Sequence, residues 1–324
     1  MTIEMEDRVT FVICTERGIL ERKSRVLVES LRTFGGRFAS SRVLSYSPRE
    51  GRIPRDETLE FLSGRDVEVI LDPLNRDLVD YGFANKVVAC AHAEEALDHD
   101  RLVFLDSDTL VLREPGEVWT REPGVIRVRP VERKLAGSSG SDEHADYWKR
   151  ILEWAGVSDP TWVNTTLTGE RIYGYWNAGV VAGPCGSAFF RRWFRTLRAL
   201  VRQDLVHPGG MTFMDQVALA LTIHHPDYRL EHLPRGYNVP VNSLPKPEDD
   251  AMTDREIPDP GEVAIAHYHK AVDHYPLSNP LLDWIPPAKR ARVSQFFRAH
   301  GLIGPVNWLR HRLDHRLGWD FLAP

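Results

Sequence analysis

The chain has 324 residues, 42% hydrophobic and 27% charged, enough for one large α/β domain or two modest ones with a sizeable core. A net charge of −5 excludes a general nucleic-acid binder, whose phosphate contacts need a basic excess. Residues Met1 to Arg8 lack the basic start and apolar run of a signal peptide, and no stretch is apolar for long enough to span a bilayer, so the expected compartment is the cytoplasm.

Taken in chain order, the first 112 residues alternate strand-like and helix-like segments. Val9 to Cys14 is a continuous apolar run and reads as a strand. Glu21 to Phe34 follows with Val26, Leu27, Leu31 and Phe34 at helical spacing, ended by Gly35-Gly36. Arg42 to Tyr46 and Val67 to Leu71 are short strands separated by a polar segment. Phe83 to Leu97 is a helix with Val87, Val88, Ala91 and Leu97 inward. Leu102 to Leu105 has no polar face, as in a parallel-sheet strand covered on both sides. Alternation of this kind predicts right-handed crossovers and a single Rossmann-like, mostly parallel α/β sheet flanked by helices. Beyond it, residues 130–145, rich in Gly, Ser and charge, read as a mobile loop. Helices are expected over Asp142 to Ala155, Ser187 to Gln203 and Met211 to His224. Tyr173 to Gly183 is an apolar strand interrupted by Asn177-Ala178-Gly179, and Glu262 to His267 is a last strand. Pro245 to Pro260 is a Pro- and acid-rich surface loop. Cys14, Cys90 and Cys185 have no metal-ligand spacing and read as reduced core residues. The division expected is a catalytic domain over 1–285 and a basic, amphipathic helical tail over 286–324.

The chemistry concentrates where the apolar run ends in Asp106-Ser107-Asp108. Carboxylates at i and i+2 beyond a buried strand enter the crevice at the carboxyl edge of an α/β sheet. There they can share one hard divalent cation, Mn²⁺ or Mg²⁺, that keeps open positions for phosphate oxygens. The competing account is a strand end followed by a turn, with Asp and Ser as turn formers. His267 ends an apolar strand and is a candidate third ligand, with His269 as its rival because i and i+2 share a strand face. Asn177 offers donor and acceptor to sugar hydroxyls, while Ala178 and Gly179 permit close approach; a core bulge would explain the same string. Asp215 and Gln216 open a helix, whose dipole favours an acid there with or without a function. Trp148, Trp154, Trp162 and Trp176 cluster in the chain, and one or two of them are candidate sugar platforms.

Four strings occur in the order found in one family: Ala84-Asn85-Lys86, Phe104-Leu105-Asp106-Ser107-Asp108-Thr109, Trp176-Asn177-Ala178-Gly179-Val180 and Met214-Asp215-Gln216. With His267-Tyr268 they cover about residues 8–285. On them the chain resembles the nucleotide-sugar glycosyltransferases of the GT-A fold, most of all family 8, with glycogenin and the lipopolysaccharide galactosyl- and glucosyltransferases. The resemblance implies a metal-dependent, retaining transfer of a hexose from a nucleotide-sugar donor, a UDP-sugar, to a glycan or lipid-linked acceptor. It implies Mn²⁺ on Asp106, Asp108 and His267. It places the nucleotide on Thr15, Glu16, Arg17 and Ser107, and the donor sugar on Asn85, Lys86, Asn177, Ala178, Gly179 and Asp215. Gln216 would lie under the anomeric carbon. One departure stands out: where the family has Gly three residues after the histidine and a later Lys-Pro-Trp run, this chain has Lys270 and then Ala271 to Pro276. Lys270 is therefore the expected diphosphate-binding ammonium.

Three other classes compete. A haloacid-dehalogenase-like phosphatase also carries Asp-x-Asp, but opens its first strand with it and has Thr or Val where Leu110 stands. A nucleotidyltransferase would want a Gly-rich basic loop after the first strand. A non-catalytic sugar- or lipid-binding protein on a transferase scaffold would not need Asp106, Asp108, Asp215 and Gln216 intact. Acceptor recognition is expected from loops near 130–170 and 235–260. The tail interleaves Lys289, Arg290, Arg292, Arg298, Arg310, Arg312 and Arg316 with Phe and Trp. That pattern suits either peripheral contact with an anionic membrane or packing on the catalytic domain.

Overall fold

The computed structural model describes residues 8–97, 101–120, 122–241, 243–244, 257–269 and 284–302. Every residue of β1 (Val9–Cys14) is buried, which is why its sequence shows no alternation. It feeds α1 (Ile19–Phe34) and then β2 (Arg42–Tyr46). The polar stretch that follows contains α2 (Asp56–Ser63), invisible to periodicity because Thr58 and Leu62 are its buried residues; Asp56 and Glu57 suit its amino-terminal dipole. Next come β3 (Val67–Ile70), α3 (Ala84–Ala96), the fully buried β4 (Arg101–Leu105), and β5 (Thr109–Val111), which continues the chain past the Asp-Ser-Asp turn.

The second half supplies β6 (Val125–Pro130), α4 (Ala145–Trp154), the hairpin β7 (Trp162–Asn164) and β8 (Arg171–Tyr173), and β9 (Trp176–Pro184). Then follow α5 (Phe189–Arg202), α6 (Met214–Ile223), β10 (Arg229–His232), β11 (Val239–Pro240), β12 (Ile265–His267) and α7 (Pro287–Ala299). The main sheet has seven strands in the order β10-β6-β9-β4-β1-β2-β3. Its pairings are parallel except that β9 runs antiparallel to both β4 and β6. A second, three-stranded sheet is ordered β11-β12-β5 and brings the end of β12 against the Asp-Ser-Asp turn.

Two expectations change. Asn177-Ala178-Gly179 does not interrupt its strand: β9 runs through it, and the irregularity lies in its pairing with β6, where Arg127 faces Ala182 but Arg129 faces Asn177. Residues 130–145 are tied down rather than loose. Val131, Ala136 and Ser138 are buried, and the Asp142 carboxylate accepts from Ser138 Oγ, Ser139 N and Lys134 Nζ at 2.7, 2.7 and 3.0 Å.

One face of the main sheet carries α3, α4, α5 and α6 over a core that includes Trp148, Trp176 and Trp193. Of the four clustered tryptophans, Trp148 and Trp176 are thus core, while Trp154 and Trp162 are exposed. The first part of the expected tail also belongs to the interior. Val293, Phe296 and Phe297 of α7 are buried with Val26, Leu110 and Tyr268, and His300 Nε2 lies 3.0 Å from Glu29. Those apolar side chains face protein, not lipid. Arg310, Arg312 and Arg316 lie outside the described residues. Among the described residues, no helix is long and apolar enough to cross a membrane.

Candidate active site

β4 delivers Asp106 to the carboxyl edge of the sheet, and a tight turn places Asp108 beside it. The turn is fixed by the Asp106 carbonyl, which accepts from Thr109 N at 2.9 Å and Thr109 Oγ1 at 2.7 Å. The Ser107 hydroxyl points inward and donates to the Cys14 carbonyl, locking the turn to the end of β1. β12 then brings in His267, whose Nε2 lies 3.0 Å from Asp108 Oδ1 and 3.9 Å from Asp106 Oδ2. One ligand atom from each of Asp106, Asp108 and His267 falls within 4.8 Å of the others. The rival His269 is outside that cluster: its backbone is left-handed (φ 45°) and its ring stacks on the His267 ring at 3.8 Å.

Behind the histidine runs a relay. His267 Nδ1 meets Asn238 Oδ1 at 2.9 Å, Asn238 Nδ2 donates to Asn177 Oδ1 at 2.9 Å, and Gly179 N donates to that same oxygen at 2.8 Å. An amide oxygen can only accept, so Nδ1 carries a proton; Nε2, 3.0 Å from Asp108 Oδ1, donates to that carboxylate, and a bound ion would take the place of the Nε2 proton. That is the arrangement a metal-ligating histidine requires. Two carboxylates and an imidazole that can release its Nε2 proton suit a hard divalent cation such as Mn²⁺ or Mg²⁺. Gly179 has a steric duty in the same place. A Cβ there would lie 2.5 Å from the His267 ring, so a residue without one lets the imidazole approach β9.

Two buried ammoniums complete the electrostatics. Lys86 of α3 donates to Asp106 Oδ2 at 2.8 Å and lies 3.4 Å from Asp215 Oδ2. Lys23 of α1 lies 3.8 Å from Asp108 Oδ2 and donates to the His269 carbonyl at 2.8 Å. Burial pushes the Asp106 carboxyl up against the pull of Lys86. Burial acts the same way on Asp108, but the charge and hydrogen bond of His267, with Lys23, hold that group well below the usual carboxylate range. Burial would lower Lys86 and His267; the carboxylates each faces outweigh it and raise both. His269, partly buried beside His267, is pushed down to about 3, first by desolvation and then by the neighbouring His267.

Asp215 and Gln216 open α6 on the far side of Lys86. Tyr81 donates its hydroxyl hydrogen to Asp215 Oδ1 at 2.9 Å and accepts the Asp215 amide at 2.9 Å, fixing the carboxylate. Gln216 is buried, and its Oε1 has no partner among the described residues. Other expected contacts are engaged within the protein. Asn85 Oδ1 accepts from Asn75 at 2.9 Å, the Thr15 hydroxyl accepts from Ser45 at 2.8 Å, and Glu16 is paired with Arg49. Asn177 serves the relay, Ala178 is buried, and Arg17 stays exposed with Nε on the Ile53 carbonyl. Lys270 lies outside the described residues. Sequence reasoning missed Lys23, Tyr81 and Asn238. Of these only Asn238, which sits at φ 50° after Gly236-Tyr237, left a trace, because Asn tolerates that conformation.

Comparison with known proteins follows this geometry. A family model described as the Rhodobacterales glycosyltransferase domain matches residues 11–227. The fold is similar to the apo structure of the bifunctional glycosyltransferase WbbM at 12% identity and TM-score 0.53; the match covers 96% of this chain and 52% of that one. This chain therefore spans about half the length of that neighbour. It is similar to the galactosyltransferase LgtC in complex with donor and acceptor sugar analogues at 14% identity and TM-score 0.50, covering 93% and 99% of the two chains. An active-site mutant of LgtC matches at 15% and 0.50, covering 90% and 95%. At such identities the likeness is one of fold, and the fold is GT-A. A search of curated proteins by sequence finds no match.

Proposed function

Because the chain belongs to the Rhodobacterales glycosyltransferase domain family and is a glycosyltransferase of GT-A fold resembling family 8, we propose that it transfers a hexose from a UDP-sugar, with a divalent cation, Mn²⁺, in attendance. The observation that carries the reading is the cluster of Asp106, Asp108 and His267 at the carboxyl edge of β4, backed by Asn238. When bound there, the ion would neutralise charge developing on the leaving diphosphate. Lys86 holds Asp106 and Asp215 in one frame, so the metal side and the sugar side of the pocket keep a fixed spacing. Asp215, fixed by Tyr81, is suited to accept hydrogen bonds from donor-sugar hydroxyls. The unpartnered amide oxygen of Gln216 suits a developing positive charge at the anomeric carbon, and retention of configuration is the outcome the family resemblance implies. The acceptor is a glycan or lipid-linked glycan, met by the loop after β6 and the β7–β8 hairpin. The basic residues after 302 are the ones offered for peripheral contact with an anionic membrane; the catalytic unit extends past residue 285 to include α7, whose Val293, Phe296 and Phe297 pack into the interior.

The test is a hydrolysis screen of nucleotide sugars with and without Mn²⁺, repeated with Asp108→Asn. One donor should be turned over with the ion and lost in the variant, and the anomeric coupling of a transfer product should match that of the donor. Ion-independent turnover, or full activity in the variant, would refute the reading.

A further inference from the structure

The β7–β8 hairpin has two faces of opposite character. Val163 and Ile172 are buried, so by the alternation of a strand Trp162, Asn164, Arg171 and Tyr173 share the outer face. Across that face Trp162 pairs with Tyr173, and Asn164 with Arg171. The two rings lie 4.5 Å apart, centre to centre, and tilt by 39°. The Arg171 guanidinium lies 4.9 Å from the centre of the Trp162 ring. Contacts with two residues of β8 fix the attitude of the indole, and 38% of the residue stays open to solvent. Gly140 abuts the same pair. A Cβ there would lie 3.0 Å from the Tyr173 hydroxyl and 3.3 Å from Trp162 Cη2, so a residue without one lets the preceding loop lie against the rings.

The hairpin stands at the same edge of the sheet as Asp106. Pro130, the last residue of β6, pairs with Trp176, the first of β9. Since β9 is antiparallel to both β6 and β4, the chain leaving β8 enters β9 at the carboxyl edge to which β4 delivers Asp106. The connection between β7 and β8 is pinned there too: Thr166 N and Leu167 N donate to the Val131 and Glu132 carbonyls at 2.9 and 3.0 Å. The Glu132 carboxylate accepts from Asn177 Nδ2 at 3.4 Å, and Asn177 supports the Asn238 that backs His267. Tyr173 precedes Asn177 by four residues, a span of up to about 14 Å in extended chain. The platform is therefore rigidly joined to the rim of the site while lying to one side of it.

A pyranose presents C–H groups on its faces and hydroxyls round its rim. The electron-rich face of an indole attracts the first. The amide of Asn164 and the guanidinium of Arg171, side by side on the same face, can hydrogen-bond the second. A protein partner would need about 800 Å² a side around a broad apolar centre, more than one indole bordered by polar side chains supplies. We propose that Trp162, braced by Tyr173 and flanked by Asn164 and Arg171, seats a sugar unit of the acceptor beyond the unit that receives the hexose. The acceptor is on this account an oligosaccharide chain, and a free monosaccharide is too short to use the platform. The inference rests on the reading above, in which a glycan acceptor meets this hairpin, and extends it to the length of that glycan.

The experiment presents the full chain, with Mn²⁺ and UDP, to an array of immobilised monosaccharides, disaccharides and longer oligosaccharides. UDP affinity and melting temperature are measured in parallel. The wild type should bind oligosaccharides and pass over the monosaccharides that end them. Trp162→Ala should weaken oligosaccharide binding roughly 10–100-fold, the loss expected for an aromatic anchor. Trp162→Phe keeps a smaller ring and should weaken it less. UDP affinity should be the same in all three proteins. Monosaccharides bound as well as oligosaccharides, or full oligosaccharide binding by a folded Trp162→Ala, overturns the assignment. A parallel loss of UDP affinity overturns it as well, because the ring would then be structural. A wild type that binds UDP with Mn²⁺ and no glycan overturns the platform and leaves the donor reading standing. A wild type that ignores UDP yet binds oligosaccharides through Trp162 does the reverse.

Discussion

Replacing Gly179 by alanine tests how tightly β9 and His267 are fitted to each other. The added Cβ would lie 2.5 Å from both Nδ1 and Cε1 of His267 and 2.8 Å from Asn238 Oδ1. Ordinary carbon contacts are about 3.5–4.0 Å, so the ring must retreat by about 1 Å. It has little room, because His269 is stacked on it at 3.8 Å. A shift of that size cannot keep both the 2.9 Å bond to Asn238 and the 3.0 Å approach to Asp108. Overpacking of this kind costs about 1–3 kcal/mol, and losing the Asn238 bond about 1 more. Gly179 lies outside the left-handed region, so alanine brings no backbone strain of its own and the effect is steric. We expect Mn²⁺ affinity, read by electron paramagnetic resonance, to fall roughly 10–100-fold, as for other losses of support behind a metal ligand. Thermal unfolding should shift down by several degrees. A variant that binds Mn²⁺ within about twofold of the wild type and melts at the same temperature would refute the steric argument.

Two further outcomes follow from the packing. Phe297→Ala removes a fully buried ring that meets Tyr268 edge-on at 5.3 Å, next to His267; urea unfolding should show a loss of about 3–5 kcal/mol, and a loss under 1 kcal/mol would mean that α7 is not part of the core. His207, buried beside His144, has its pKa pushed down to about 4 by desolvation, then by His144. The unfolded chain therefore takes up that proton first as pH falls from 6.5, so its contribution is full above 6.5 and is lost toward pH 4. Urea midpoints measured over that window should fall less steeply for His207→Asn than for the wild type, and identical slopes would count against the assignment.

Much of the fold was legible because buried parallel strands write themselves as unbroken apolar runs. The expected limits of the first two strands, Val9 to Cys14 and Arg42 to Tyr46, coincide with those of β1 and β2. The small sheet was legible only in part. The strand expected over Glu262 to His267 contains β12, while β11, of two residues, is too short to show a period, and the pairing of both is decided by long-range contact. Asp106, Asp108 and His267 could be singled out because carboxylates and imidazole beyond apolar runs are unusual. Lys23 could not, since a lysine on a helix reads as solvated until the helix is docked. Asn177 shows the limit of a string. Its residue type suggested contact with sugar hydroxyls, while its side chain supports Asn238, whose partnership with His267 no local pattern announces.

His267 follows its partner Asp108 by 159 residues, while Lys86 precedes Asp106 by 20. A growing polypeptide therefore holds an internal counter-charge for the first carboxylate long before its imidazole exists. At synthesis rates of about 5–20 residues per second, roughly 8–30 s separate the two events on the ribosome. The lysine can quiet the acidic turn during that interval, and the imidazole joins it only after β12 has docked against β5.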